Sequence, residues 1–219
     1  MTSKFDFSVF RQQKPVLIKK MILAFLGDML VGMGIGLNSC AELGNDPISV
    51  LSDGLHKFFS ISMGAAVNAT AYTLLVVVLI LGRKYINVGT LINVLPLGFF
   101  VNLGVATYSA LNVAEGGLFF RSIAVLAGCA FLFFGTALFI TVDIGQDTWT
   151  GFAMLLRDRT GKEYRFVRAA LDVVALVIGF LLGGTVGAAT IFSALLGGPT
   201  IQMFCEFINK FVKFDNSAV

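Results

Sequence analysis

The chain has 219 residues, of which 57% are hydrophobic and 13% charged, against roughly 25% charged residues in an ordinary soluble domain. That composition excludes a soluble globular protein, intrinsic disorder, a collagen-like fibre and a disulfide scaffold, and it points to lipid as the natural solvent. The net charge of +3 is small, so its placement along the chain carries more than its size.

A bilayer asks for roughly 20 apolar residues per spanning helix. Six runs between charged punctuation meet that length, at about 17–39, 63–82, 88–111, 118–141, 164–183 and 187–209. The first follows Lys19 and Lys20, is too long for the apolar part of a signal peptide and lacks a small-residue cleavage site, so it is expected to stay in the protein. Two shorter apolar stretches, about 47–59 and 148–159, reach only about 20 Å as helices and fall short of the hydrocarbon core. The expected architecture is an all-α polytopic membrane protein with a cytoplasmic tail at 1–16, a membrane unit at 17–111, a second at 118–210 and a cytoplasmic tail at 211–219.

Lysine and arginine placement sets the expected orientation, because basic residues concentrate in cytoplasmic loops. With the N-terminus inside and six spans, fourteen of the sixteen basic residues fall on the cytoplasmic side, and only Lys57 and Arg121 lie outside. Letting the short segments span would carry Arg83 and Lys84 across the membrane. Both termini are therefore expected in the cytoplasm of a bacterial inner membrane.

The two halves overlay at a shift of about 101 residues. Gly27, Gly34, Gly44 and Asp46 fall on Gly128, Gly135, Gly145 and Asp147, with an amide, Asn45 or Gln146, between Gly and Asp each time. Gly82 falls on Gly183 and, after a one-residue slip, Thr90, Gly98 and Asn102 fall on Thr190, Gly198 and Gln202. Three spans per unit is an odd number, so the second unit enters the membrane from the opposite side. The expected fold is six transmembrane helices as two inverted three-helix repeats, each with a short half-helix or interfacial helix. That architecture recurs in secondary transporters, whose site lies between the repeats.

The strings LGNDPISVLSDGL and GRKYINVGTLINVLPLGFFVN, and their degenerate copies IGQDTWTGFAMLLRDRTG and GFLLGGTVGAATIFSALLGGPTIQMF, resemble the YczE/YitT family of small bacterial membrane proteins over roughly residues 15–210. Thr148 stands where the second repeat of that family often has Pro, and Ala189 where a Gly is expected. The resemblance implies the fold and topology rather than a reaction.

Asp28 falls near the middle of the first span with no cation within one helical turn, where an ionised carboxylate costs several kcal/mol. It is either a neutral, hydrogen-bonded packing group or a proton- or cation-coupling site. Asp46 and Asp147 precede the short helices, where a carboxylate caps the first turn, and Pro47 suits the first helical position. Gly44, Pro47 and Gly145 mark helix breaks, and Asn45 and Gln146 would line a cavity if those turns enter the membrane. Arg168 and Asp172 have the spacing of an intrahelical ion pair and read as a structural pair near the cytoplasmic end of their span. Asn102, Gln202 and Glu206 complete the candidates for a substrate or ion pathway, though amides such as Asn68 and Asn93 equally join membrane helices.

Cys40, Cys129 and Cys205 are scattered and His56 is the single histidine; neither metal nor cofactor is implied, and no nucleophile, zinc or phosphate-loop motif is present. An enzyme is not expected, and the scattered basic residues suit anionic lipid rather than nucleic acid. The expected function is a secondary transporter or permease for a small polar solute, coupled to a proton or another cation and acting as a homodimer. A non-transporting accessory or assembly subunit, or the substrate-binding subunit of an energy-coupling transporter, shares the same size and spans.

Overall fold

The computed structural model describes residues 14–211, which form nine α-helices and two short 3-10 turns, with no strand among the described residues. The helices are α1 Lys14–Ala41, α2 Pro47–Phe59, α3 Met63–Leu81, α4 Val88–Val94, α5 Leu97–Ala110, α6 Gly117–Val142, α7 Thr148–Thr160, α8 Tyr164–Leu181 and α9 Ala188–Phe211. Among the described residues, five stretches are long and apolar enough to cross a membrane: Leu17–Ala41, Met63–Leu81, Gly89–Ala110, Val113–Val142 and Ala188–Lys210. The sixth expected run forms α8, whose 18 residues include Arg165, Arg168 and Asp172 and which is not one of these five. Large apolar side chains such as Ile80, Phe99 and Leu195, 72%, 68% and 70% exposed, cover the outside. In water such a surface would aggregate, whereas against acyl chains it is matched.

At the centre, α1 and α6 run against each other through glycines. A Cβ on Gly34 would lie 2.5 Å from the Gly128 carbonyl oxygen, and one on Gly27 would lie 2.8 Å from that of Gly135. Membrane helices gain little from hydrophobicity when they associate, so backbone approach of this kind supplies the van der Waals contact. Around this pair, α5 packs on α1 and α9 on α6, while α2 lies on α8 and α7 on α3.

The run at 88–111 is not one helix. Pro96 has no N–H to donate, and the chain breaks between α4 and α5 at Leu95–Pro96. The break exposes the Gly98 N–H, which donates to Asn68 Oδ1 (2.9 Å), and the Gly64 N–H donates in turn to Asn102 Oδ1 (3.0 Å). These two amides clamp α3 to α5.

Candidate functional site

The site is built from two turns that the sequence specifies locally. After α1, Glu42 and Gly44 adopt left-handed backbone (φ 53° and 97°) and reverse the chain; at Gly44 a side chain would also strike Gly187. Asn45 then reaches back along α1, donating from Nδ2 to Ile35 O and Ser39 Oγ, both at 3.2 Å, while Asn38 Nδ2 donates to Asn45 Oδ1 at 3.5 Å. Ile35 lies six residues before the end of α1, about 9 Å back along its axis. The turn thus dips alongside α1 instead of leaving from its tip, and α2 starts at that depth. Asp46 caps it, accepting from Ser49 N at 3.4 Å, with Pro47 in the first turn.

The second turn follows α6 in the same way. Asp143 and Gly145 have positive φ (49° and 149°), and Asp147 caps α7 by accepting from Thr150 N at 3.0 Å. Each turn is tied to the opposite half of the chain. Ala189 N donates to Leu43 O (2.9 Å) and Asn45 N donates to Thr190 Oγ1 (3.1 Å). Gly89 N donates to Ile144 O (3.2 Å) and Thr90 Oγ1 donates to Gln146 O (2.6 Å).

Further ionisable groups lie within electrostatic range of the two capping aspartates. Asp28 is fully buried; its Oδ1 accepts from Asn93 Nδ2 at 2.6 Å, its Oδ2 has no hydrogen-bond partner, and Asp147 is within electrostatic range. Arg168 donates from Nε to both oxygens of Asp172 (3.2 and 3.3 Å) and from Nη1 to Thr150 Oγ1 (3.3 Å). Its guanidinium lies 5.8 Å from the Trp149 ring centroid, and Trp149 Nε1 donates to Asp172 Oδ1 at 2.9 Å. Asp46 and Asp147 both lie within electrostatic range of Arg168. The expected intrahelical pair forms, and Asp172, the ninth of the 18 residues of α8, also meets Trp149 at the start of α7.

Among the described residues, four buried side-chain atoms have no hydrogen-bond partner: Asp28 Oδ2, Asn38 Oδ1, Asp46 Oδ1 and Gln146 Oε1. All four are oxygens on or beside the two turns. Among the described residues, no group of three or more His, Cys, Asp or Glu side chains is arranged to hold a metal ion.

The structure brings together Asp28, Asn45, Asp46, Gln146, Asp147, Arg168 and Asp172. It does not bring in the other candidates. Asn102 is held at the α3–α5 clamp, and Gln202 and Glu206 lie on the exposed face of α9, where Gln202 Nε2 donates to Glu206 Oε1 at 3.3 Å. The sequence reading passed over Trp149, Asn38, Thr90 and Thr190 at the site. Only the two threonines left a trace, as partners in the overlay of the halves.

Outside this centre, two contacts join a short helix to the loop after a long one. Lys57, at the end of α2, bonds Asp53 Oδ2 (2.9 Å) and Thr185 Oγ1 (2.6 Å). Asp158, at the end of α7, accepts from Lys84 Nζ (2.7 Å), Tyr85 Oη and Arg157. Those donors hold the Asp158 carboxyl well below the usual carboxylate range.

Residues 18–206 match the model of a family of unknown function, DUF6198. The chain belongs to this family. It is similar to an uncharacterised protein of Haemophilus influenzae, 29% identical over 184 residues, which covers 83% of this chain and 81% of the relative. It is also similar to the uncharacterised membrane protein YczE of Bacillus subtilis, 22% identical over 196 residues and 86% of each chain. No solved structure matches. The family, the helical fold and the apolar spans together make this a multi-pass membrane protein.

Proposed function

We propose that the protein is a secondary transporter or permease for a small polar solute, built as two inverted repeats around the central polar site. The carrying observation is the reciprocal exchange at the turns: Leu43 accepts from Ala189 while Ile144 accepts from Gly89. These residues correspond at the same near-100-residue shift that relates Asp46 to Asp147. The α1–α6 glycine contacts exchange likewise, since Gly27 meets Gly135 and Gly34 meets Gly128. Two copies of one unit related by a twofold axis make such swapped contacts, and an axis in the membrane plane suits a site opened alternately to each face.

In this reading α8 is the sixth span. Arg165 lies in its first turn, at the water interface, while Arg168 and Asp172 face the interior, the placement expected of intramembrane charge. The helices α2 and α7 are half-helices that enter from opposite faces with their N-termini at the centre. The distribution of basic residues supports both termini on the cytoplasmic side of a bacterial inner membrane.

The test is reconstitution into liposomes with a panel of labelled polar solutes, with and without a proton gradient. Saturable uptake above protein-free vesicles is expected for at least one solute. Uptake of none, by a protein verified as folded and inserted, contradicts transport and returns the reading to an accessory subunit.

A further inference from the structure

Polar side chains within a membrane face the protein interior or pair with one another, because acyl chains offer them no partner. The amides of α3, α4 and α5 obey this: Asn68, Asn93 and Asn102 each bond to another helix. Gln202 does not. It lies in the span Ala188–Lys210, three residues from the midpoint, about 5 Å along the helix axis, and it is exposed. Among the described residues its hydrogen bonding stays within α9, from Nε2 to Glu206 Oε1 at 3.3 Å. A carboxyl at that depth escapes its cost by taking up a proton, whereas an amide has no such escape. The carbonyl and second N–H of Gln202 therefore ask for a partner from outside the protomer.

The shape of the helix around Gln202 is a second observation. Ala194, Gly198, Gln202 and Glu206 follow one another at intervals of four residues and are all exposed, so they form a single ridge of α9, which packs chiefly on α6. A Cβ on Gly198 would meet nothing within 4 Å, whereas at the α1–α6 contact it would strike backbone. Glycine there relieves the crowding that Pro199 imposes on the residue before it, and it leaves the ridge low at that level. Small residues four apart, followed by a polar side chain, are how spanning helices meet at close range. Glu206 and Lys210, one turn apart and both exposed, give the rim of this face one charge of each sign.

We infer that the ridge Ala194, Gly198, Gln202 and Glu206 is covered by the same ridge of a second copy of this chain. Two copies inserted in the same direction are related by a twofold axis along the membrane normal, which sets Gly198 beside Gly198 and Gln202 beside Gln202. An amide both donates and accepts, so Gln202 is its own complement. At the rim each Glu206 has the Lys210 of the second copy as well as a like charge, and the two faces meet without net repulsion. A different membrane protein would have to bring a low ridge, an amide at the same depth and a charge of each sign at the same rim; a second copy has all three. This interface stands apart from the central site and does not depend on transport.

The experiment has two arms, both on the full-length protein. In membranes of expressing cells, oxidation should link Ala194→Cys to a second copy of itself, while Val76→Cys, 52% exposed on α3, and the untouched protein with its own cysteines should not link. In liposomes, energy transfer between donor- and acceptor-labelled copies is followed as lipid is added. Gln202→Leu removes the amide and Ala194→Leu raises the ridge, and each should weaken association by about tenfold. Both positions are exposed in the protomer, so the variants should fold, and a monodisperse peak in size-exclusion chromatography checks that they do. A self-linked product together with weakened association in both variants supports the inference. Absence of that product, a monomer at every lipid dilution, or association unchanged in either variant overturns it. A product linking Ala194→Cys to a different protein, with none linked to itself, also overturns it and gives the face to that protein.

Discussion

The two halves of the molecule share a frame and differ in what they hang on it. In the frame, backbone groups at corresponding places make corresponding bonds: Asp46 and Asp147 cap 13-residue helices with near-identical backbone angles, ψ 156° and 159°. Each half donates one backbone N–H to the turn of the other. The side chains diverge. Where the first half has Asp28 accepting from Asn93, the second has Cys129, whose Sγ accepts from Asn38 Nδ2 at 3.7 Å. Where the second has Arg168 and Asp172, the first has Val67 and Ala71. At the ends of the short helices Lys57 faces Thr185, and Asp158 faces Lys84, so the same contact carries opposite charge. Backbone satisfaction inside a membrane allows few alternatives, which fixes the frame, whereas a single buried charge serves one side of a site without being matched on the other.

If the frame is as described, the greatest damage comes from the shared glycine contact. Gly34→Leu drives a side chain into the Gly128 carbonyl and Leu132 and should cost about 3 kcal/mol or more, read as loss of a monodisperse peak in size-exclusion chromatography. Gly128→Leu should do the same, and a folded variant of either would break the comparison at its centre.

Next come the cross-half threonines. Thr190→Val removes the acceptor for the Asn45 and Gly187 N–H groups, and Thr90→Val removes the donor to Gln146 O. Each should lower stability by about 1–2 kcal/mol, measured by thermal unfolding in detergent. Effects of similar size at both sites sharpen the equivalence of the halves; a cost at one alone weakens it.

Asp28 tests the divergence. Asparagine there can still accept from Asn93, so Asp28→Asn should change stability by only about 1 kcal/mol, while uptake in proteoliposomes should lose its pH dependence. A retained pH profile would move any proton-coupling role away from this carboxyl.

The smallest effect is expected at the exposed Asp158 contact. Its carboxyl is depressed below the ordinary 3.8 in the folded state, so its stabilisation is present above pH 3.8 and fades as pH falls below it. The melting temperature of Asp158→Asn should be slightly lower than wild type at pH 7, with the deficit shrinking in acid. A deficit independent of pH would assign the loss to packing.

Much of this was legible because the signals are local. Gly44, Asp46-Pro47 and Gly145 to Asp147 state their turns within a few residues, and long apolar runs state the spans. The break at Pro96 was written in the sequence but hidden inside an apolar run read as one helix. The Arg168 site was illegible for a different reason. Its neighbours Asp46, Asp147 and Trp149 come from the starts of two other helices, and an i,i+4 pair near a helix start looks the same whether it faces lipid headgroups or a polar centre.

Inversion of the halves is the central claim, and its most direct measurement is sidedness at equivalent points just beyond the two short helices. Ser60 and Lys162 are both exposed. Cysteines placed there singly should behave oppositely toward a membrane-impermeant thiol reagent, with the untouched protein as the control for its own three cysteines. Ser60→Cys should react in intact cells, and Lys162→Cys only after the membrane is permeabilised. Reaction of both from the same side would contradict the inverted arrangement and remove the basis for transport.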